Sequence, residues 1–265
     1  MLQPDQDATR WDAHSAAYER MFEPLTDGFA HTALDRLGNL DQADFIDVAA
    51  GTGGAALAAA ARGARVTAID ASTAMIARIA ARASGIEARV ADAAALPYPD
   101  GAFGAALSSF GIVLLPNPAR GMAELHRVLR PGARVAIVTW TEPHRYELAS
   151  RLRDAVIAVR GAPPAMAELP AQLRFTDPAR LAALLTDAGF ASIAVERAEA
   201  SLQAASAASL AGSLDFAPGM TAMLDSLGPD RPAILQSFAD TLTADQGTGA
   251  VTLGAVAHIA IGQRP

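Results

Sequence analysis

Three places in this sequence carry residue types and spacing suited to chemistry. The first is Gly51-Thr52-Gly53, which follows the apolar run Phe45-Ile46-Asp47-Val48-Ala49. Glycines at such a bend let a ligand approach the backbone closely and expose N–H groups where the next helix starts. The second is Asp70, at the tip of the next apolar run, where a carboxylate can accept both hydroxyls of a ribose. The third is Asp92, which closes a further run. A glycine bend with strand-tip carboxylates is chemistry for holding a nucleoside. The bend does not choose among nucleosides: Gly51, Gly53 and Ala56 also satisfy the G-x-G-x-x-A pattern of dinucleotide sites. Proton-transfer candidates are sparse. Of the five histidines, His144 follows a strand at the edge where ligands bind in parallel sheets, and His14 lies on an N-terminal helix beside Trp11 and Tyr18. His126 and His258 fall within regular elements and read as structural. No HxxxH spacing and no cysteine occur, so no metal is expected.

The elements that must position these residues are legible from periodicity. Residues 9–22 read as an amphipathic helix with Trp11, Ala17, Tyr18, Met21 and Phe22 near one face. A second helix runs from Pro24 to Leu37 and is stopped by Gly38. Short apolar runs then alternate with helical stretches: strands at 45–49, 65–69, 86–91, 103–109 and 134–140, with Ser72 capping a helix over 73–84 and Pro118 opening one through Leu129. This alternation predicts a parallel sheet with helices on both faces. Beyond Trp140 a helix is expected over 144–160. Another is capped by Thr176-Asp177-Pro178, a strand falls near 193–197, and the final strand lies near 251–261. The Ala- and Ser-rich stretch 201–243 reads as an insertion of short helices between the last two strands.

The spaced set Asp92, Leu96-Pro97-Tyr98-Pro99-Asp100-Gly101, Ser108-Ser109-Phe110 and Leu125-His126-Arg127-Val128-Leu129-Arg130-Pro131-Gly132 decides the matter. With it, residues 40–140 resemble class I S-adenosylmethionine (SAM)-dependent methyltransferases, especially the ubiquinone/menaquinone C-methyltransferase-like family. The resemblance implies a doubly wound, Rossmann-like α/β fold with a seven-stranded mixed sheet, its last strand antiparallel, and a helical lid. It also implies SAM as cofactor. Ala49, Gly51, Thr52 and Gly53 are then expected against the methionine part, and Asp70 on the ribose. Ala71 and Met75 are expected beside the adenine, with Asp92 at its amino group and Ala93 next to it. Ser109 is expected near the methionine carboxylate or sulfonium, and Tyr18 on the closing helix. The loop has Ala49-Ala50 where relatives often carry Gly and Cys. Phe22, Trp140, Phe216, Met220 and Met223, in the less regular segments, are expected to shape an apolar acceptor pocket.

Composition limits the alternatives. A net charge of −7 disfavours nucleic acid as a partner. All 21 basic residues are arginine, which removes lysine-based chemistry and the Tyr-x-x-x-Lys pair of one class of NAD-dependent oxidoreductases. No apolar stretch reaches the length of a membrane span, and the N-terminus lacks the apolar core of a signal peptide, so a cytoplasmic chain is expected. The expected organisation is one domain over 1–265: a helical cap over 1–40, a cofactor-binding core over 41–141 and the 201–243 insertion near the acceptor. The expected partner is a small-molecule methyl acceptor, with a homodimer admitted. The rivals are an NAD-dependent oxidoreductase and a SAM-binding protein without methyl transfer.

Overall fold

The structure, a computed structural model, describes residues 2–163 and 168–265. Two helices open the chain, α1 (Ala8–Ala17) and α2 (Glu23–Leu37), joined by a π-helical turn over Tyr18–Phe22. The single helix expected over 9–22 is therefore broken in pitch. A π turn rotates the side chains that follow it, which swings Phe22 and Glu23 to new faces. The sheet elements follow: β1 (Asp44–Val48), α3 (Gly54–Ala60), β2 (Arg65–Asp70), α4 (Thr73–Arg82), β3 (Glu87–Val90), β4 (Phe103–Ser109), α5 (Pro118–Val128) and β5 (Leu129–Trp140). Then come α6 (Glu147–Arg160), α7 (Pro178–Asp187), β6 (Ala191–Ala204), α8 (Ala207–Ala211), α9 (Pro218–Ser226), α10 (Arg231–Gln246) and β7 (Val251–Gln263).

The seven strands form one sheet in the order β3-β2-β1-β4-β5-β7-β6. Neighbours from β3 through β5 pair in parallel, and β7 runs antiparallel to both β5 and β6. The expected mixed sheet is thus present. β1 pairs with β2 on one side and β4 on the other, so the chain reverses its winding direction beside it. In open α/β sheets a crevice opens at that point, at the carboxyl ends of the strands. The two faces carry separate apolar cores. One includes Phe29, Leu34, Ile79 and Phe238 from the helices; the other includes Met122, Leu125, Leu181 and Leu185.

Several boundaries differ from the sequence reading. β5 starts at Leu129 and not at 134, and α6 starts at Glu147 and not at 144. β6 extends to Ala204, so residues 201–204 belong to the sheet and not to the insertion. Its alanine-rich composition favours a helix locally, but a ladder with β7 running from Ala191 to Ala204 overrides that preference. Within the insertion, α10 spans 16 residues and is not a short helix. Among the described residues no helix is long and apolar enough to cross a membrane.

Candidate functional site

The crevice is a single cavity of about 940 Å³. It is walled on one side by the strand tips of β1, β2 and β4 and roofed by the N-terminal segment with α1 and the π turn. Both Asp70 and Asp92 border it, so the two carboxylates face a common cleft.

The glycine bend has a strained backbone. Ala49, Gly51 and Gly53 all have positive φ, at 58°, 56° and 96°. An alanine in that region costs energy that glycine does not. Gly111, at the end of β4, packs on Ala49 so closely that an added Cβ would fall inside the Ala49 methyl group. The Tyr18 ring lies over Gly51 on the cavity side.

Asp70 closes β2 and organises the bend. Its Oδ2 accepts from the Gly51 amide at 2.9 Å and its Oδ1 from the Ser72 amide at 2.8 Å. Each carboxylate oxygen keeps a further lone pair for a ligand hydroxyl. Burial pushes its pKa up, and these amide bonds oppose that rise. Asp92 accepts from the Ala94 amide at 2.8 Å, which fixes the turn after β3. Ser109 ends β4 with an enclosed hydroxyl that has no protein partner.

Below the bend lies a second, water-sized space of about 20 Å³, lined by Glu23, Thr26, Asp27 and Asp47 and sharing Tyr18, Ala49 and Ser109 with the large cavity. Asp47 on β1 is buried and neither of its oxygens has a partner. Burial, then the charges of Asp70 and Asp27, push it up to about 8. Asp27 is pushed up to about 7 by burial and by Glu23.

The far end of the cavity is aromatic. Phe22 stacks on Phe216 at 4.4 Å between ring centres, and Trp140 stacks on Tyr146 at 4.7 Å. Phe22 lies 6.1 Å from Trp140, and Phe110 lies 4.2 Å from it. The Tyr146 hydroxyl is enclosed and unpartnered, and burial raises its pKa, so it stays protonated.

The structure brings most of the sequence-predicted residues to this cavity. Tyr18, Ala49, Gly51, Asp70, Ala71 and Met75 line it, as do Asp92, Ala93 and Ser109. The apolar candidates Phe22, Trp140, Phe216, Met220 and Met223 line it too. His144 borders it from an exposed 3₁₀ turn. Three residues are not on its wall. Thr52 is fully buried, with its hydroxyl turned back to Glu23. Gly53 faces Ile79. His14 spends its ring on the Arg10 carbonyl at 2.7 Å and the Thr221 hydroxyl at 3.0 Å. It latches α1 to α9 and has no place on the cavity wall.

Sequence reasoning missed several participants. Glu23, Arg82 and Asp12 hold the bend and the start of α4 from a distance, and Tyr146 pairs with Trp140. Glu23 did carry a signal: it shares a helical face with Thr26, Ala30, Ala33 and Leu37, all buried, so a carboxylate sits on an inward stripe.

Comparison with known proteins agrees with this geometry. Residues 46–137 match the model of a methyltransferase domain. The demethylmenaquinone methyltransferase of Thermus thermophilus is 44% identical over 70 residues, 26% of this chain and 32% of that one. That of Beutenbergia cavernae is 30% identical over 166 residues, 59% of this chain and 69% of that one. Across the first three such relatives the chain spans 32%, 69% and 61% of their length. A Haemonchus contortus phosphoethanolamine N-methyltransferase 2, solved with phosphomonomethylethanolamine and S-adenosylhomocysteine, superposes with a TM-score of 0.60 at 18% identity. It covers 97% of this chain and 58% of that one, a likeness of fold alone. The glycine bend, the strand-tip carboxylates and the matched segment coincide in space, and the chain belongs to the class I SAM-dependent methyltransferases of the ubiquinone/menaquinone type.

Proposed function

We propose that this protein transfers the methyl group of SAM to an oxygen, carbon or nitrogen of a small, fairly apolar molecule. The observation that carries this is the continuity of the cavity. One chamber joins the Asp70–Asp92 cleft to a wall of stacked aromatic rings. Its residues suit the cofactor: Asp70 has lone pairs left for two ribose hydroxyls, and Ala71 and Met75 offer an apolar shelf beside Asp92 for the adenine. The bend over Gly51, Thr52 and Gly53 is assigned to the methionine end, with Ser109 beside it. Bound there, SAM supplies an electrophilic methyl.

The protein's own contribution is alignment. Holding an acceptor against the cofactor can remove about 7–11 kcal/mol of barrier. Phe22, Trp140, Phe216 and Met220 present flat, apolar surface, and Tyr18 closes the cleft beside Gly51. This lining suits an aromatic acceptor, in keeping with the demethylmenaquinone named for the relatives. His144 is the one imidazole bordering the cavity among the described residues, and it is assigned as the base for an acceptor that must lose a proton. Residues 1–40 act as the cap, 41–141 as the cofactor core and the insertion as part of the acceptor wall. A cytoplasmic location without a nucleic-acid partner belongs to the same reading, which the net charge of −7 supports.

The test is to incubate the protein with SAM and a panel of phenols, quinols and amines and to follow S-adenosylhomocysteine (SAH). Acceptor-dependent SAH formation is expected. Saturable SAH binding with no turnover on any acceptor would favour a SAM-binding protein without transfer. No SAH binding at all would refute the cofactor assignment.

A further inference from the structure

We infer that Glu23, on the cap and outside the cavity wall, is a positioning residue for cofactor binding: its carboxylate sets the shape of the bend that receives the methionine end. This rests on the reading of the cavity as a SAM site.

The bend is held only in part by its own backbone, through the Gly53 amide on the Ala50 carbonyl at 3.0 Å. Gly53 sits at φ 96° as the residue before α3, and α3 has no side-chain cap of its own. The first amides of a helix have no partner within it. Glu23 supplies that partner from α2. Its Oε1 accepts from the Gly54 amide at 2.9 Å and from the Thr52 hydroxyl at 2.6 Å. One carboxylate oxygen therefore grips the residues on both sides of the left-handed Gly53. Arg82 of α4 holds the carboxylate, donating to Oε1 and Oε2 at 2.7 Å each, and also donates to the Thr52 carbonyl at 2.9 Å. The other end of the bend is pinned by Asp70 on the Gly51 amide.

Glu23 is 5% exposed, so these are buried, charge-assisted bonds, the strongest kind available to a side chain. The arrangement also ties the cap to the core at a second point. Asp12 of α1 accepts from the Ser72 hydroxyl at 2.6 Å and the Ala74 amide at 2.9 Å, at the start of α4. The cap thus reaches two of the loops that face the cofactor cleft, and Glu23 is its grip on the glycine bend.

Removing Glu23 alone would strand the Arg82 charge, so the test uses neutral pairs of matched size. In Glu23→Gln/Arg82→Met the amide oxygen still accepts from Thr52 and Gly54. In Glu23→Met/Arg82→Met nothing does. Calorimetric titration with SAH is expected to show the Met/Met protein binding about tenfold to a hundredfold more weakly than the Gln/Met protein. The thermal midpoint of the Met/Met protein should fall by several degrees, because the Gly54 amide and the Thr52 hydroxyl lose their buried acceptor. The two proteins' affinities for 1-naphthol, read by fluorescence of Trp11 and Trp140 on the cavity wall, should agree within about twofold. A merely structural role would lower the thermal midpoint and weaken binding of both ligands alike. Equal SAH affinity in the two folded proteins would overturn the inference. Should the Met/Met protein not fold, hydrogen exchange of the Gly54 amide in the wild-type protein decides. Slow exchange in the free protein is expected, and exchange at the rate of an unstructured chain would overturn the assignment. Absence of SAH binding by the wild-type protein would instead refute the cofactor reading beneath it.

Discussion

Asp47 offers the sharpest perturbation. It is a carboxyl on β1, 1% exposed, with both oxygens unpartnered. Its pKa is pushed up to about 8 from an ordinary value of 3.8, first by burial and then by the charges of Asp70 and Asp27. In the unfolded chain it ionises near pH 4; in the folded protein it holds its proton to about pH 8. Between those values the folded state binds the extra proton, so stability is highest below pH 4 and declines as pH rises to about 8. The slope is ~1.4 kcal/mol per pH unit, so from pH 5 to pH 8 this one group removes roughly 4 kcal/mol.

Asp47→Asn keeps the shape and carries no charge at any pH. Urea unfolding of both proteins at pH 5, 6, 7 and 8 reads the difference directly. Asp27, pushed up to about 7, contributes a decline of its own, and the difference between the two proteins reads Asp47 together with its coupling to Asp27. The two proteins should be of similar stability near pH 5, with the variant ahead by roughly 4 kcal/mol at pH 8. Parallel curves would refute the reasoning, because they would mean that Asp47 is already ionised at neutral pH in the fold.

Asp70→Ala should weaken SAH binding by about a hundredfold or more, since it removes the proposed ribose acceptors and the tie to Gly51. The fold should survive, because the buried charge is lost with it; unchanged affinity in calorimetry would count against the site. Tyr146→Phe deletes an enclosed hydroxyl that has no partner and should raise stability by about 1 kcal/mol in thermal unfolding. A fall of similar size would show that the hydroxyl is satisfied. His144→Asn should leave SAH affinity intact and slow transfer to a phenol by about 10²–10⁴-fold. An unchanged rate would remove His144 from the base role.

What the sequence revealed and what it hid divide along a physical line. Gly51 and Asp70 are legible because each sits at the end of an apolar run, whereas the roles of Asp92 and Ser109 come from the family resemblance. In a parallel sheet those ends converge, so local patterning is enough to bring them together. Glu23 and Arg82 act across 59 residues of chain, and Asp12 and Ser72 across 60. No periodicity reports which helix will lie over which loop. Tyr146 looked like part of an ordinary helix start, and only tertiary packing puts its ring flat on Trp140. His14 failed for the same reason: it is near the right aromatic residues in sequence, yet the turn of α1 aims its ring at Thr221. At the far end of the sheet both strands are legible, and only the reach of β6 over 201–204 is not, because it is the ladder with β7 that extends it.

The carboxyls beneath the bend link the cost of Asp47 to the charge of a ligand in the cavity. Glu23, Asp27 and Asp47 share one small space, with Asp70 close enough to raise Asp47, and Arg82 is the guanidinium engaged there. Such crowding destabilises a free protein, which relieves it by keeping protons on Asp47 and Asp27. The space borders the large cavity through Tyr18, Ala49 and Ser109. A cation docking in that cavity lowers the cost of ionising both groups, and a neutral ligand does so less. SAM carries a sulfonium charge that SAH lacks, so the prediction is a preference for SAM over SAH that grows as pH rises toward 8, read by competition binding. Asp47→Asn should therefore gain stability and lose part of this discrimination at once. A variant that gained stability yet kept the full SAM-over-SAH preference at pH 8 would separate the two effects and leave the cost of Asp47 unexplained.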